Sequence, residues 1–592
     1  MEIKFAYCLR ITVFYSLPSV YLCFMVKLPY GTSNFQILVN QGYLYIDRTS
    51  YLAQIEEMSE KNLFFLRPRR FGKSLWVSVM QYYYGLEHKD KFHSLFGKYH
   101  IGKNPTSLAN SYLVLKFDFS GIDTDSKEKT YRGFSFKVEL GVQLFLDTYS
   151  QYFSVKDKQD ILDKPAPEIM IGSLFTYAQQ PEIPLIYVVI DEYDHFTNEL
   201  ISFRLIEFQE IVSENGYVRK FYEVIKTATQ EGVVDRFFAT GVAPITLDSL
   251  TSGFNIGKNI SLRPHYNEMM GFTEEEVGDI LKSIDIPISK IDEMTEEIRR
   301  WYNGYLFHPR GNKRVYNSDM VLYFATEYAQ YQNYPENLLD TNISSDYGKI
   351  GKLFRLGGEE SGRLKILEQL LKEKDIYTQL TEQYSFARKF TEYDFLSLLF
   401  YMGLLTIKGT YRSGIHLQIP NDVIRQLYFQ YFSELLERRL DFKSETIKVE
   451  TAVEEFAWEN NPQSLVKLLG KTLEQLSNRD WPKFDEKHLK TILITYLYSV
   501  GIYHIQSEPE VNQKYPDILL RRRPPYEPPY QLMIELKFLK KKDASQLETV
   551  SDQGRNQLKT YLKSEEIKDL ENLRAWLWVF VGTKAVVVEE VE

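Results

Sequence analysis

Residues 67–74 (RPRRFGKS) have the composition of a phosphate-binding loop and stand between a predicted strand and a predicted helix. In such a loop, backbone N–H groups and the N-terminus of the next helix surround phosphate oxygens. Lys73 would reach the β- and γ-phosphates of a nucleotide, and Ser74 would hold Mg²⁺. The standard loop begins with glycine, whereas this chain has Arg67 there. The motif therefore predicts a phosphate site; a surface helix that starts with a basic cluster is the alternative.

An apolar run at 186–192 (IYVVIDE) ends in two acids, which is what the second half of a phosphate site requires. Asp191 would accept hydrogen bonds from the Mg²⁺ shell, and Glu192 would polarise the attacking water. The alternative is that these acids only mark the end of a buried strand. Thr240, at the end of another predicted strand, is a candidate contact for the γ-phosphate or an ordinary strand-to-turn residue. The loop residues Phe71 and Gly72 complete the candidate nucleotide site, and Arg69, Arg70 and Arg263 are candidate phosphate contacts for which a solvated position is favoured.

A second candidate set consists of Asp517, Glu535 and Lys537. Side chains alternate along a strand, so residues 535 and 537 share one face, and a hairpin can bring Asp517 beside them. Two carboxylates and a lysine at one point suit metal-dependent phosphodiester hydrolysis, in which the acids bind one or two Mg²⁺ ions and the lysine stabilises charge. A two-stranded hairpin with ordinary polar ends is the alternative.

Three further features accompany this set. Glu508 ends the preceding predicted strand and is a candidate additional metal ligand, and Gln557 and Tyr561 share a helix face. Residues 514–559 carry ten Lys or Arg and six Asp or Glu, against a formal charge of −9 for the whole chain. This local excess of positive charge favours a polyanionic partner. The candidate contacts to a nucleic-acid backbone are Arg521–Arg523 and Lys540–Lys542, for which a solvated face is the alternative.

Composition excludes several other classes of chemistry. The chain has 592 residues and only two cysteines, Cys8 and Cys23, so a disulfide framework, a cysteine zinc site and thiol catalysis in the body of the protein are excluded. Neither an H-E-x-x-H nor a G-x-S-x-G pattern occurs. Scarce cysteine is typical of a reducing compartment, and we expect a cytoplasmic location.

The N-terminal residues 11–25 (ITVFYSLPSVYLCFM) are apolar and could be interpreted as a signal or an anchor. The run is shorter than the roughly 20 residues that span a bilayer, and it contains Pro18. We therefore interpret 1–24 as an extension before a natural start at Met25, and we expect no membrane partner.

Apolar runs and helical periodicity predict the domain organisation. Strands are predicted at 62–66, 112–119, 184–192 and 233–241, with helices at 73–84, near 132–153 and over 203–230. This alternation favours a three-layer α/β domain. Helices dominate from a capping box at Thr273 and Glu276 onward, with a winged-helix-like unit at 394–424. Beyond 450 the predicted order α-β-β-β-α-β indicates another α/β domain. The predicted units are an extension at 1–26, an α/β domain at 27–270, a helical region at 271–440 and a second α/β domain at 450–592.

Five segments together resemble the AAA-ATPase-like family, whose members commonly carry a C-terminal PD-(D/E)XK nuclease-superfamily domain. They are GYLYIDRTSYL (42–52), FLRPRRFGKSL (65–75), VVIDEYD (188–194), TGVAPI (240–245) and WYNGYLF (301–307). The resemblance extends from about residue 27 onward, and it makes Arg67 in place of glycine a family feature. It implies a P-loop NTPase sandwich with a helical extension, followed by a restriction-endonuclease-like α/β domain, with ATP and Mg²⁺ as cofactors.

The resemblance also bears on individual residues of the second set. Gln557 and Tyr561 are similar to the Q-x-x-x-Y element of RecB-like nucleases. Relatives often have Gly-Arg-x-Asp where this chain has Lys514-Tyr515-Pro516-Asp517, so an arginine contact there is not expected.

We expect an ATP-binding and ATP-hydrolysing protein coupled to a Mg²⁺-dependent nuclease that acts on nucleic acid, with DNA favoured, and homo-oligomers are possible. The alternatives are a nucleotide-switched module that binds nucleic acid or protein without cutting, and an ATPase whose C-terminal domain serves assembly.

Overall fold

The structure is a computed structural model. It describes residues 26–197, 205–212, 216–244, 254–341, 343–344, 353–354, 360–372, 375–384, 390–440, 446–477, 485–509, 511 and 515–592. The apolar run at 11–25 and both cysteines lie outside the described residues. Within them, no helix combines the length and the apolar composition needed to cross a bilayer.

Five parallel strands form the N-terminal sheet in the order β2-β3-β4-β1-β5. They are β1 (Asn62–Leu66), β2 (Leu113–Asp118), β3 (Ile186–Asp191), β4 (Val234–Gly241) and β5 (Lys258–Asn259). The four predicted strands are confirmed, and their apolar residues are largely buried, with β1, β3 and β4 in the interior of the sheet and β2 at one edge. The two-residue strand β5 is too short to leave a pattern in the sequence.

Ten helices accompany this sheet in the described residues. They are α1 (Phe35–Asn40), α2 (Ser50–Glu56), α3 (Lys73–Tyr84), α4 (Phe92–Phe96), α5 (His100–Lys103), α6 (Lys127–Thr148), α7 (Val155–Leu162), α8 (Pro167–Tyr177), α9 (Leu205–Val212) and α10 (Tyr217–Gln230). The helix predicted near 132–153 begins earlier, because the Ser126 side chain caps it by accepting from the Lys129 N–H. The periodicity at 203–230 corresponds to two helices, α9 and α10.

Helices pack on both faces of the sheet. Tyr84 of α3 contacts Tyr187 on β3, whereas Phe221 of α10 contacts Phe117 on β2. In the sheet register Tyr187 pairs with Val114, which is three residues from Phe117, so the two contacts lie on opposite faces. This arrangement fits the α/β class predicted from the sequence.

The middle of the chain is mainly helical. It contains α11 (Glu274–Ser283), α12 (Ile288–Tyr302), α13 (Ser318–Tyr331), α14 (Glu360–Lys372), α15 (Glu392–Tyr401) and α16 (Asp422–Leu440), with a small sheet β6-β8-β7 formed by β6 (Ile376–Thr378), β7 (Thr406–Tyr411) and β8 (Gly414–Gln418). The capping box at Thr273 and Glu276 is confirmed. The sequence α15-β7-β8-α16 has the predicted helix–hairpin–helix order; its assignment as a winged helix stays a prediction.

The C-terminal part has the predicted order of elements. Its members are α17 (Thr446–Glu459), α18 (Gln463–Ser477), α19 (Glu486–Val500), β9 (Tyr503–Ser507), β10 (Ile518–Arg522), β11 (Gln531–Leu539), α20 (Leu547–Tyr561), α21 (Glu565–Lys568), β12 (Leu573–Val581) and β13 (Lys584–Glu590). The sheet order is β13-β12-β11-β10-β9, with β11 and β12 parallel and the other pairs antiparallel. Helix α16 of the middle region packs against α19.

The WYNGYLF segment has a structural role in joining two parts of the middle region. Gly304 adopts φ +108°, and a Cβ there would lie 2.1 Å from the carbonyl oxygen of Pro420. The adjacent Asn303 carbonyl accepts a hydrogen bond from the Asn421 side chain at 2.9 Å. Only glycine can adopt this conformation at this distance from another backbone.

Replacing Gly304 with alanine should destabilise the protein by about 2 kcal/mol or more, through backbone strain and steric overlap with Pro420. Thermal unfolding of the purified variant measures the loss as a lower Tm. The matched control is Gly278→Ala in α11, where a Cβ would meet no heavy atom within 4 Å. Alanine favours a helix there, so the control should match or exceed the parent. Equal Tm values for the two variants would contradict the assigned role of Gly304.

Candidate nucleotide and metal sites

The loop after β1 has the backbone geometry of a tight strand-to-helix turn. Arg70 and Gly72 adopt φ +69° and +91°, and Gly72 is the N-cap of α3. Left-handed backbone at a non-glycine residue is uncommon and tends to occur at functional sites. The Phe71 ring is buried edge-to-face against Tyr305 and Phe307, at 5.0 and 5.5 Å between centroids. The middle region therefore anchors the loop.

Three adjacent strands end at the edge of the sheet where this loop begins. The loop follows β1, Thr240 lies near the end of β4, and Asp191 ends β3. Because the strands are parallel, their carboxyl ends meet at one edge, which is where ligands bind in open α/β sheets.

Lys73 is buried in the loop and points back across it. Its ammonium donates to the carbonyl oxygens of Arg67 and Pro68 at 3.1 and 2.9 Å. Burial lowers the pKa of Lys73, and the nearby carboxylates of Glu192 and Asp191 oppose that shift. The amine is thus held by loop carbonyls and lies within the electrostatic influence of the two acids. Contact of Lys73 with a nucleotide phosphate stays a prediction.

The two acids after β3 differ sharply in their affinity for protons. Burial raises the pKa of Asp191 to about 6, although a hydrogen bond with the Ser74 side chain offsets part of the effect. Burial would also raise the pKa of Glu192, but the hydrogen bond with His195 and the charge of Lys73 hold it at about 2. The Nδ1 of His195 lies 2.7 Å from Glu192 Oε2. Glu192 is therefore ionised at neutral pH.

Thr240 and Asp194 stabilise the edge of the sheet. The Thr240 hydroxyl donates to the Phe65 carbonyl at 2.8 Å and is fully buried. The Asp194 carboxylate accepts the N–H groups of Val242 and Ala243, at distances down to 2.7 Å. Contact of Thr240 with a γ-phosphate stays a prediction, because its hydroxyl is bonded to the neighbouring strand.

Arg67 is a structural residue rather than a surface phosphate contact. Its guanidinium is 1% exposed and lies between the rings of Phe65 and Phe307, at 4.3 and 4.0 Å from their centroids. It donates to three carbonyl oxygens, those of Leu66, Ser261 and Tyr266. Burial lowers the pKa of Arg67 to about 9.

The other candidate arginines have different surroundings. Arg69 lines the cavity beside the loop, and its carbonyl accepts from the Asn317 side chain at 3.2 Å. Arg70 Nη1 lies 3.6 Å from Asp319 Oδ2. Arg263 instead binds Glu60, which precedes β1, so it lies at the wrong end of the strand for the phosphate loop. The suggestion that Arg263 contacts phosphate is therefore wrong.

A cavity of about 410 Å³ adjoins the phosphate loop. Its lining includes polar residues, among them Lys73, Ser74, Glu192 and His195. It also includes apolar residues, namely Leu38, Leu44, Ile46, Trp76, Met269 and Phe272. Its volume and mixed lining are typical of a small-molecule or cofactor site.

In the C-terminal sheet, Asp517, Glu535 and Lys537 come together as the sequence predicts. Asp517 precedes β10, whose pairing with β11 places it opposite Glu535. Asp517 Oδ2 accepts the N–H of Leu536 at 2.9 Å, and Lys537 Nζ donates to Glu535 Oε1 at 2.7 Å. The cross-strand hydrogen bond fixes one oxygen of Asp517 and leaves the other to face the site.

Glu535 provides the strongest indication of a metal ligand. The residue is 2% exposed, and its Oε2 is buried with no hydrogen-bond partner among the residues that the structure describes. Burial, followed by repulsion from Asp517, raises the pKa of Glu535 to about 7. A buried carboxylate oxygen without a donor is costly, and a divalent cation would compensate that cost. The donor set fits Mg²⁺, which prefers carboxylate oxygens.

Glu508 and Lys490 form an ion pair beside these acids. The Lys490 ammonium contacts the Glu508 carboxylate and lies 3.5 Å from Asp517 Oδ1. In the described residues, no three His, Cys, Asp or Glu side chains are gathered closely enough to hold a metal ion as a set. Glu508 as a metal ligand therefore stays a prediction, while Asp517 and Glu535 face one another.

Helix α20 closes one side of the site. Tyr561 is buried and donates to the Tyr515 carbonyl at 3.2 Å, which anchors the segment that leads into Asp517. Gln557 lies half-buried one turn earlier on the same helix. A Cβ at Gly554 would lie 2.4 Å from Leu577 Cδ1, so this glycine lets the helix approach β12 closely.

Of the two basic clusters, one is exposed and the other is mostly engaged. Lys540–Lys542 are exposed directly after β11. Arg523, however, is 3% exposed and lies between the rings of Trp301 and Tyr526, and Arg522 donates to carbonyls of its own hairpin. The suggestion that Arg523 contacts nucleic acid is wrong, because the middle region covers it.

Sequence reasoning missed two residues on α19, Glu486 and Lys490. Burial raises the pKa of Glu486, which is close enough for the charges of Lys537 and Asp517 to act on it. The spacing i,i+4 places Glu486 and Lys490 on one helix face. A lysine inside the apolar stretch HLKTILITYL was the available signal.

Comparisons with known proteins match both halves. The model of the family described as "Predicted AAA-ATPase" matches residues 29–251, and that of the PD-(D/E)XK nuclease superfamily matches residues 484–590. A protein of Azotobacter chroococcum mcd 1, described as "Uncharacterized protein in vnfD 5'region", is 26% identical over 310 residues. That alignment spans 50% of this chain and 52% of that protein, so the chain spans about half the length of the relative it matches. The two family matches confirm the two-part architecture that the resemblance implies.

The raised pKa of Glu535 predicts a pH effect on stability. Its protonated form is favoured in the folded protein, so ionisation destabilises the metal-free fold progressively as pH rises from about 4.5 through about 7. Glu535→Gln mimics the protonated form and escapes this loss. With EDTA present, the Tm of the variant minus that of the parent should increase from about pH 5 to about pH 8. The exposed Glu182→Gln serves as control; a difference that is constant with pH would contradict the assignment.

Proposed function

We propose that the N-terminal half of this chain binds and hydrolyses ATP with Mg²⁺, and that its C-terminal domain is a Mg²⁺-dependent nuclease that cleaves DNA. The observation that carries the proposal is the convergence of Asp517, Glu535 and Lys537, in which Glu535 Oε2 is buried and finds no hydrogen-bond partner within the described part of the chain. The two family matches support the same pairing of activities.

In the N-terminal half, each side chain at the sheet edge has a distinct part in the reaction. Lys73 supplies positive charge for the β- and γ-phosphates, and Ser74 and Asp191 hold Mg²⁺ and its water shell. Glu192 is held ionised by His195, with which it pairs at 2.7 Å, and as an ionised acceptor it orients the attacking water. The apolar residues of the cavity lining contact the base of the nucleotide.

The order of the strands supports a P-loop type of sandwich. The phosphate loop follows β1 and the acids follow β3, with β4 between them. The two halves of the site thus come from different strands of one rigid sheet, which fixes their separation before a ligand binds.

In the C-terminal domain, Asp517 and Glu535 hold the metal ion. Magnesium, when bound, supplies charge neutralisation at the phosphate and lowers the pKa of a coordinated water. Asp517 is oriented by the Leu536 N–H, and Glu535 Oε1 is oriented by Lys537. The Lys537 ammonium also places positive charge where the attacked phosphate gains negative charge. Lys540–Lys542 provide backbone contacts that do not depend on sequence.

Lys73→Ala should reduce ATP hydrolysis by about 100-fold or more, because phosphate charge is no longer neutralised. Phosphate release and equilibrium binding of a fluorescent ATP analogue measure the effect. Lys61→Ala is the matched control, since Lys61 lies just before the other end of β1 and pairs with Asp235. Normal binding and hydrolysis by the Lys73 variant would refute the nucleotide site.

Asp517→Asn should reduce Mg²⁺-dependent cleavage of plasmid and single-stranded DNA on the order of 100-fold or more, while ATP hydrolysis is retained. The exposed Asp569→Asn in the same domain is the control. If the parent protein binds DNA but does not nick it in Mg²⁺ or Mn²⁺, that result would favour the alternative function, a module that binds nucleic acid without cutting it. Cleavage that persists in the Asp517 variant would show that these residues are not the active site.

A further inference from the structure

Lys490 brings an ammonium group to the acids of the C-terminal site from α19, an element that contributes no motif residue. The residue is 9% exposed, and the residues around it on the helix are largely apolar and buried. A buried ammonium is destabilising unless a carboxylate pairs with it. The carboxylates that pair with this ammonium therefore explain how a lysine can be buried at this position.

Two carboxylates approach the Lys490 ammonium. It forms an ion pair with Glu508, and Asp517 Oδ1 lies 3.5 Å away. The second Asp517 oxygen accepts the Leu536 N–H, so Oδ1 is the oxygen that faces both Lys490 and the site. Glu508 adopts φ +49°, a strained backbone for a residue other than glycine, directly after β9. Strain of this kind persists where surrounding contacts hold a side chain in place.

The charges of the site match one divalent cation. Ion pairs join Lys490 to Glu508 and Asp517, and Lys537 to Glu535, while Glu486 lies one turn before Lys490 on α19. With these four acids and two lysines ionised, the formal charge is −2. A second divalent ion on the Glu508 side would meet the Lys490 ammonium at close range. Repulsion between the two like charges at that distance disfavours a second ion there.

We propose that Lys490 is a fixed cation that takes the place of a second metal ion, so that the nuclease site binds one divalent ion through Asp517 and Glu535. Glu508 is then the counter-ion of Lys490 rather than a metal ligand. Lys490 is a positioning residue: it holds Asp517 Oδ1 toward the single ion and does not contact the reacting phosphate. This inference rests on the proposed nuclease function and specifies its metal stoichiometry.

The test is a Mn²⁺ titration of the full-length, nucleotide-free protein, followed by electron paramagnetic resonance and calorimetry. The number of Mn²⁺ ions bound by the Asp517→Asn variant is subtracted from the number bound by each other protein. The difference is the number of ions held at the C-terminal site. The parent should bind one ion at this site. Lys490→Met, which removes the charge but keeps a long side chain, should bind two, and Lys490→Arg should bind one. A single ion in Lys490→Met would overturn the proposal.

Glu508→Gln provides a second test in case Lys490→Met fails to fold. The Glu508 side chain is 41% exposed, so loss of its charge should change Mn²⁺ affinity by a factor of about five or less. A much larger loss would identify Glu508 as a ligand and overturn the proposal. Two ions in the parent would refute the Lys490 inference alone, whereas no Mn²⁺ at the site would refute the proposed nuclease as well.

Discussion

The burial of one arginine determines how the N-terminal half is assembled. Arg67 stands where a standard phosphate loop has glycine, and within the described part of the chain its hydrogen-bond partners are backbone carbonyls rather than carboxylates. Those carbonyls belong to the end of β1 and to the segment between β5 and α11, while Phe307 covers the guanidinium from the middle region. An arginine can be buried in this way only if all these segments keep their positions. The phosphate loop is therefore fixed to the region that follows it.

The same middle region contacts the C-terminal domain, so it connects the two candidate sites. Asn317 caps α13 and donates to the phosphate loop, and α13 packs against α12. On α12, the Trp301 ring lies 5.5 Å from the guanidinium of Arg523, and Glu297 lies 2.6 Å from His504. Coupling between sites requires an element whose position both sites influence. Helix α13 contacts the loop after β1 through Asn317, and α12 contacts the C-terminal sheet through Trp301 and Glu297.

The sequence predicted what depends on local pattern and missed what depends on distant contacts. Apolar runs such as 62–66 and 186–191 are buried strands, and parallel strands bring the ends that carry the acids to one edge. Arg523 was expected to reach nucleic acid because it lies in a basic run, yet Trp301, more than two hundred residues earlier, covers it. Lys490 was overlooked because its partners come from strands that follow its helix. Neither contact leaves a periodic signal in the sequence.

Both candidate sites combine buried carboxyl groups with a neighbouring lysine amine. Each contains a buried carboxyl whose pKa is raised by loss of solvent, Asp191 in one site and Glu535 in the other. Each also holds a lysine amine close to those acids, Lys73 or Lys537. A monovalent ammonium compensates the acids only in part, since both carboxyls still hold their protons more tightly than in water. Burial of these acids therefore destabilises the empty fold, and a divalent cation placed beside them would compensate that cost.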